Sequence, residues 1–222
     1  GALDERSIIG HGIFLDHHPW VHWPTRKDIG LLADSGATVA HCPTVFAKRG
    51  INLRTFGDYR RAGVNMGIGT DTYPHNFIEE MRNAVYIARA AAGRLDDTFA
   101  SDVFDAATIG GAKALRRDDI GRLATGAQSD LVLVDVQDRS MRPLYDPLRS
   151  LVFAAGERPI TDVFVGGEAI VRNRVCQTID LEAATEALQE AQKRAAALVP
   201  ERDWKGRTMS QLAPLSFPMA AR

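Results

Sequence analysis

Three polar residues stand at equal intervals near the start of this chain: His11, His41 and Asp71, each 30 residues from the next. Each closes a short apolar run, "SIIGH", "ATVAH" and "GVNMGIGTD". A carboxylate and two imidazoles meeting at one place suit a divalent metal, because neutral imidazole and carboxylate are standard ligands of zinc, and of iron too. A metal so held brings the pKa of bound water down to about 7 and makes hydroxide available. The same residue types have plainer uses. Asp71 could cap the next helix or serve the turn before Tyr73-Pro74. His11 could be a core histidine bonded to backbone, and His41 is one member of "HCP". All six histidines lie within the first 75 residues.

The elements that would position these residues follow from the pattern around them. The three apolar runs are β-branched or glycine-rich and suit strands buried on both faces. Between them, "TRKDIGLLADSG" predicts a helix with Thr25 as N-cap and Gly36 as stop, and "RTFGDYRRAG" predicts one stopped by Gly63. An interval of 30 residues is about the length of one βαβ repeat. Equal spacing then sets the three polar residues at one level, the carboxyl end of parallel strands, where α/β folds keep their chemistry. Further on, "NFIEEMRNAVYIARAAAG" reads as an amphipathic helix closed by Gly93, and "DTFASDVFDAATIGGAKAL" as one or two more. The character changes near residue 119. "IGRLATGAQSDLVLVDV" and "ITDVFVGGEAIVRNRV" have strand patterning, with Gly166-Gly167 as a hairpin. "LEAATEALQEAQKRAAAL" is a surface helix, and a proline-punctuated tail follows.

Bulk properties exclude several classes. The chain has 222 residues, 45% hydrophobic and 25% charged, with a net charge of −1. That balance points to no nucleic-acid partner and no anionic membrane surface. No apolar run approaches the roughly 20 residues that span a bilayer. Two distant cysteines, Cys42 and Cys176, read as reduced thiols of a cytoplasmic protein. There is no G-x-S-x-G, P-loop or G-x-G-x-x-G after a strand, so serine-hydrolase, NTPase and dinucleotide readings lack a motif. The cluster "DHHPWVHW" offers His17, His18 and His22 to a structural zinc. Pro19, Trp20 and Trp23 argue instead for an irregular substrate-lid or packing loop.

The order of motifs resembles a known family. "GHGIFLD", "GATVAHCPT" followed by "RGIN", "AGVNMGIGTD", "ATIGGAKAL", "IGRLATGAQSDLVLVDV" and "VFVGGEAIVRN" together resemble the amidohydrolase superfamily, in its branch of deaminases and chlorohydrolases of nucleobases, triazines and related N-heterocycles. The resemblance runs from about residue 7 to 180. It implies an α/β fold: the C-terminal part of a distorted (β/α)8 TIM barrel, strands 6–8, with part of a small β-sandwich and a C-terminal helix. The divisions are 1–118 for the barrel portion, 119–178 for the sandwich portion and 179–222 for the helix and tail. Asp71 matches the family's strand-eight aspartate, which ligates the metal and accepts the proton of the hydrolytic water. His11 matches the histidine after strand six, which touches substrate or the attacking hydroxide. His41 matches the strand-seven position near the substrate. Past the aspartate the family often has small residues; here Thr72, Tyr73, Pro74, His75 and Asn76 form a bulkier loop that should narrow the pocket, with His75 and Asn76 as substrate-binding residues.

The family's H-x-H pair and its strand-five histidine have no counterpart in these residues. The chain therefore reads as the C-terminal half of such an enzyme, inactive alone. Its one divalent metal, zinc with iron as the alternative, would be ligated mostly by protein outside this chain. The expected activity is metal-dependent hydrolysis, of deaminase or chlorohydrolase type. In it metal-bound hydroxide attacks an sp2 carbon of an N-heterocyclic or amidine-like substrate, breaking a C–N or C–Cl bond. The expected partners are that small molecule and the remainder of the barrel, with self-association into a homo-oligomer left open. The alternative is a non-catalytic binding or assembly module whose barrel is completed by another chain, because a lone three-strand segment would expose unpaired edges.

Overall fold

The computed structural model describes residues 2–53 and 56–217. The chain forms two compact units, Gly1–Arg174 and Val175–Arg222. In the first, β1 (Ile8–Gly10), β2 (Thr38–His41) and β3 (Asn65–Ile68) make a parallel sheet in sequence order. The connections are helical: α1 (Asp28–Ser35) between β1 and β2, then α2 (Pro43–Ala47) and α3 (Phe56–Arg61) between β2 and β3. The long helix α4 (Phe77–Ala92) follows, and then α5 (Ala100–Asp105), a π-helical stretch Ala106–Gly110 and α6 (Gly111–Ala114). The α/β expectation holds, and the sheet with its helices is an arc of a parallel barrel.

Glycine ends these helices as the sequence predicts. Gly36 and Gly93 take the left-handed conformation that closes α1 and α4, and Gly63 has φ +91° after α3. The start of the helix expected from Arg54 and Thr55 lies outside the described residues. Burial on both faces holds for β2, where Thr38, Val39 and His41 are buried. It fails for β1, whose Ile8 is 47% exposed. The core behind the strands gathers Val39, Leu53, Phe56 and Met66 with Met81 and Val85 of α4 and Val103 of α5. Each such side chain stabilises the fold by about 1.5–3 kcal/mol relative to exposure.

The N-cap of α1 departs from expectation. Helix α1 begins at Asp28, and Thr25 instead donates its hydroxyl to Asp16 Oδ2 at 2.7 Å. Asp16, from the far side of a loop, accepts from Lys27 N at 2.6 Å and Asp28 N at 3.4 Å, while Asp16 N donates to Asp28 Oδ2 at 2.9 Å. Burial pushes the Asp16 carboxyl up, but the hydrogen bonds from Thr25, Lys27 and Asp28 outweigh it and hold the group below the usual aspartate range. A carboxyl lowered in the folded state stabilises above its unfolded value of about 3.9, and that contribution is lost as pH falls through the folded value. The amide proton of Lys27 should therefore titrate by NMR below the ordinary aspartate range, and Asp16→Asn should abolish that titration. A titration at or above the ordinary range contradicts this account.

The strand-rich region holds β4 (Leu131–Val134), α7 (Pro147–Phe153), β5 (Ile160–Val165) and β6 (Glu168–Arg172). β4, β5 and β6 are antiparallel neighbours, and Gly166 and Gly167, both at positive φ, turn the β5–β6 hairpin as expected. The strand patterning did not foresee α7. Its Asp146 cap accepts from Arg149 N at 3.1 Å, and the helix packs on α4. There Tyr86 stacks on Phe153, and Arg82 donates to the Val152 carbonyl at 2.8 Å.

The second unit opens with β7 (Val175–Cys176) and is dominated by α8 (Leu181–Ala197), capped by Asp180. The short helices α9 (Val199–Arg202) and α10 (Met209–Leu212) follow. Both cysteines are free thiols. No helix among the described residues is long and apolar enough to cross a membrane.

Candidate active site

The sheet register delivers His11 and His41 to one level but sets Asp71 beyond it. Gly10 pairs with Ala40, an offset of 30, so His11 lies opposite His41. His41 pairs with Ile68, an offset of 27, and Asp71 comes three residues later. The difference arises because β2 ends at once in Pro43 and α2, while the β3 chain runs on through Gly69, whose N–H still donates to the His41 carbonyl at 2.9 Å. Asp71 then turns back with φ +57°, and its Oδ2 comes to 3.6 Å from His11 Nε2. His11 is itself left-handed, at φ +65°. Such backbone costs a residue with a side chain about 1–2 kcal/mol and is held by its surroundings. Two facing residues thus hold this conformation at the carboxyl ends of β1 and β3.

Asp71 is 45% exposed and His11 29%. The Phe46 ring of α2 stands edge-on to the His11 imidazole, 4.6 Å between centroids. His41 lies beneath, 2% exposed, with the Phe56 ring at 5.8 Å. Burial, with the neighbouring His11 adding to it, pushes the His41 imidazole down to about 3, so it is neutral at physiological pH. His75 is exposed and meets Thr70 Oγ1 through Nδ1 at 3.0 Å. Asn76 caps α4, its side-chain oxygen accepting from Glu79 N at 3.0 Å. Tyr73, at the tip of the bulkier loop, is 74% exposed, with Lys48 over its ring and donating to its carbonyl at 2.9 Å. The structure thus brings Asp71 and His11 together at the surface, buries His41 behind them and gives Asn76 a helix to cap.

Pattern reading missed two buried polar side chains that hold the loops of the site. Glu80 of α4, 1% exposed, accepts the Thr44 N–H at 3.1 Å, and Asn83 donates to Thr44 Oγ1 at 2.8 Å. Burial raises the Glu80 carboxyl, with the Thr44 bond opposing it. This pair fixes the start of α2, directly after His41. Tyr59 of α3, fully buried, donates to the Gly12 carbonyl at 2.6 Å, directly after His11. A signal for Glu80 was present: it falls on the stripe that continues through Ala84 and Ala88, where a charge needs a partner.

The donor set bears on a metal. His11 Nδ1 and His41 Nδ1 are buried and have no hydrogen-bond partner among the described residues. The Asp71 carboxylate, half exposed beside His11, fits one corner of a metal site. Among the described residues no three His, Cys, Asp or Glu side chains gather as a metal-holding group, and a zinc centre takes three or four protein ligands. The near neighbourhood of His17, His18 and His22 makes no such group either. A separate cavity of about 560 Å³ is lined by Glu5, Gly36, Lys113 and Arg116, residues toward the amino ends of the strands and away from Asp71.

Comparison with known proteins shows the family. The sequence profile described as "Amidohydrolase family" matches residues 1–170. The chain is 35% identical over 203 residues to the 5-methylthioadenosine/S-adenosylhomocysteine deaminase of Natronomonas pharaonis, covering 90% of this chain and 44% of that protein. It is 32% identical to the protein of the same name from Acetivibrio thermocellus, covering 87% and 44%. The chain thus spans a little under half the length of these relatives. Among solved structures, an adenosine deaminase from Xanthomonas campestris with bound zinc superposes with a TM-score of 0.77 at 32% identity, covering 86% of this chain and 43% of that one. A mutant atrazine chlorohydrolase from Arthrobacter aurescens, complexed with zinc and atraton, shares the fold at a TM-score of 0.73 and 23% identity, covering 84% and 41%. The family profile covers most of the chain and the relatives exceed 30% identity, and this chain belongs to the amidohydrolase family.

Proposed function

We propose that the complete protein is a zinc-dependent deaminase that releases ammonia from an amino-bearing sp2 carbon of an adenine nucleoside, 5′-methylthioadenosine being the first to test. The observation that carries this reading is the Asp71–His11 pair, 3.6 Å apart at the carboxyl ends of parallel strands. The names of the relatives above 30% identity favour a C–N bond over a C–Cl bond. The remaining metal ligands come from protein outside these 222 residues, so this chain alone does not turn over substrate.

Asp71 would hold the metal through a carboxylate oxygen, and the metal supplies a Lewis acid that makes water acidic near neutral pH. The free carboxylate oxygen of Asp71 takes the proton of the attacking water and returns it to the departing amine. His11 presents Nε2 to the same space and holds the charge that develops as the ring carbon becomes tetrahedral. His41, neutral and buried, backs this surface, while His75 and Asn76 flank the way in as substrate-side residues.

The deciding experiment measures ammonia release from 5′-methylthioadenosine, S-adenosylhomocysteine and adenosine by the complete protein. The expected result is turnover that disappears on dialysis against a chelator and returns with zinc. Absence of ammonia from all three with stoichiometric zinc bound overturns the reading and favours the non-catalytic assembly module.

A further inference from the structure

The turn that presents His11 has two successive left-handed residues, His11 at φ +65° and Gly12 at φ +60°. It is pressed onto β2, so that a Cβ at Gly12 would meet Val39 Cγ1 at 2.8 Å. His11 N donates to the Ala40 carbonyl at 2.9 Å, which continues the β1–β2 ladder. What sets the other end of the turn is Tyr59. Its hydroxyl donates to the Gly12 carbonyl at 2.6 Å from a fully buried position. The backbone carbonyl of the same residue accepts from Val64 N at 3.0 Å, immediately before β3. Tyr59 therefore joins the turn bearing His11 to the root of the strand that leads to Asp71.

We propose that Tyr59 is a positioning residue, a strut whose hydroxyl fixes the His11–Gly12 turn so that Nε2 of His11 faces Asp71. The proposal rests on the reading of His11 as a working residue of a deaminase. A buried hydroxyl bonded to a buried carbonyl is costly to remove on one side only, since the carbonyl is left without its partner. The turn then relaxes, and His11 loses its fixed distance to Asp71. Small displacements of a catalytic group are expensive in rate and cheap in substrate affinity.

The test is Tyr59→Phe in the complete, zinc-loaded protein, which keeps the ring and removes one oxygen. With 5′-methylthioadenosine, kcat should fall about tenfold at nearly unchanged KM. Val103→Ala, a core truncation in α5 away from the site, should lower the melting temperature at least as much and keep kcat. A Tyr59→Phe kcat within twofold of wild type overturns the proposal, as does an equal loss in Val103→Ala. If the wild type releases no ammonia, the deaminase reading falls by itself. The strut is then decided by the imidazole ¹H–¹³C resonances of His11, which should move in Tyr59→Phe and stay in place in Val103→Ala. Resonances unmoved by Tyr59→Phe overturn it.

Discussion

Asp71→Asn in the complete enzyme should lower kcat by at least about a thousandfold, within the range that general acid–base groups contribute. The substitution is clean for a structural reason. Asp71 holds φ +57°, and asparagine is the other residue that visits left-handed backbone readily, so the turn survives the change. Size and shape are retained as well. What disappears is the negative charge, which on the proposed reading would hold the metal and accept the water proton. Steady-state ammonia release and bound zinc, measured together, separate the two losses. Reduced zinc with reduced kcat marks Asp71 as a ligand, and full zinc with reduced kcat marks it as the proton acceptor alone. A variant within tenfold of wild type sinks both assignments.

Gly110→Ala should be the most destabilising single-methyl change in the first unit, by about 3 kcal/mol or more. A Cβ built on Gly110 lands 2.1 Å from the Met66 carbonyl oxygen, far inside contact distance. The obstacle is backbone of β3, so no side-chain rotation relieves it. Gly110 closes the π-helical stretch Ala106–Gly110, and its carbonyl accepts from Asn65 Nδ2 at 3.0 Å, which also bonds Thr38 Oγ1. The alanine therefore pushes on the strand that leads to Asp71 as well as on the helix. Urea denaturation reads the effect as a lowered midpoint. An unchanged midpoint would mean that helix and strand separate freely, contrary to the close approach described here.

Much of the arrangement was readable from residue order. The β-branched and glycine-rich runs became β1, β2 and β3, and Gly36, Gly63 and Gly93 mark helix ends because left-handed backbone is a local preference. The offset of 30 put His11 opposite His41. It failed at Asp71, where the β2–β3 register is 27, because register depends on how many residues the intervening helices and loops consume. Spacing alone does not carry that number. The partners of Tyr59 and Glu80 were illegible for a similar reason, although the place of Glu80 on the buried stripe of α4 signalled that it needed one. Their bonds to Gly12 and Thr44 link residues 47 and 36 positions apart, so neither partner's neighbourhood announces the other. The capping of α1 by Asp16 belongs to the same class: Thr25 had the right type and place, and a carboxylate twelve residues before Asp28 took the task.

That Asp16–Asp28 clasp has a bearing on how such a protein diverges. The two aspartates bind each other's backbone amides and close the neck of the loop between β1 and α1. The start of α1 is held at the neck, while Trp20 and Trp23 in the interior stand 60% and 59% exposed. Mutation can therefore vary the exposed surface around Trp20 and Trp23 while the clasp keeps the start of α1 in place. The loop behaves as an exchangeable cassette, in which descendants of one scaffold can try new surfaces while the inherited geometry beneath stays constant.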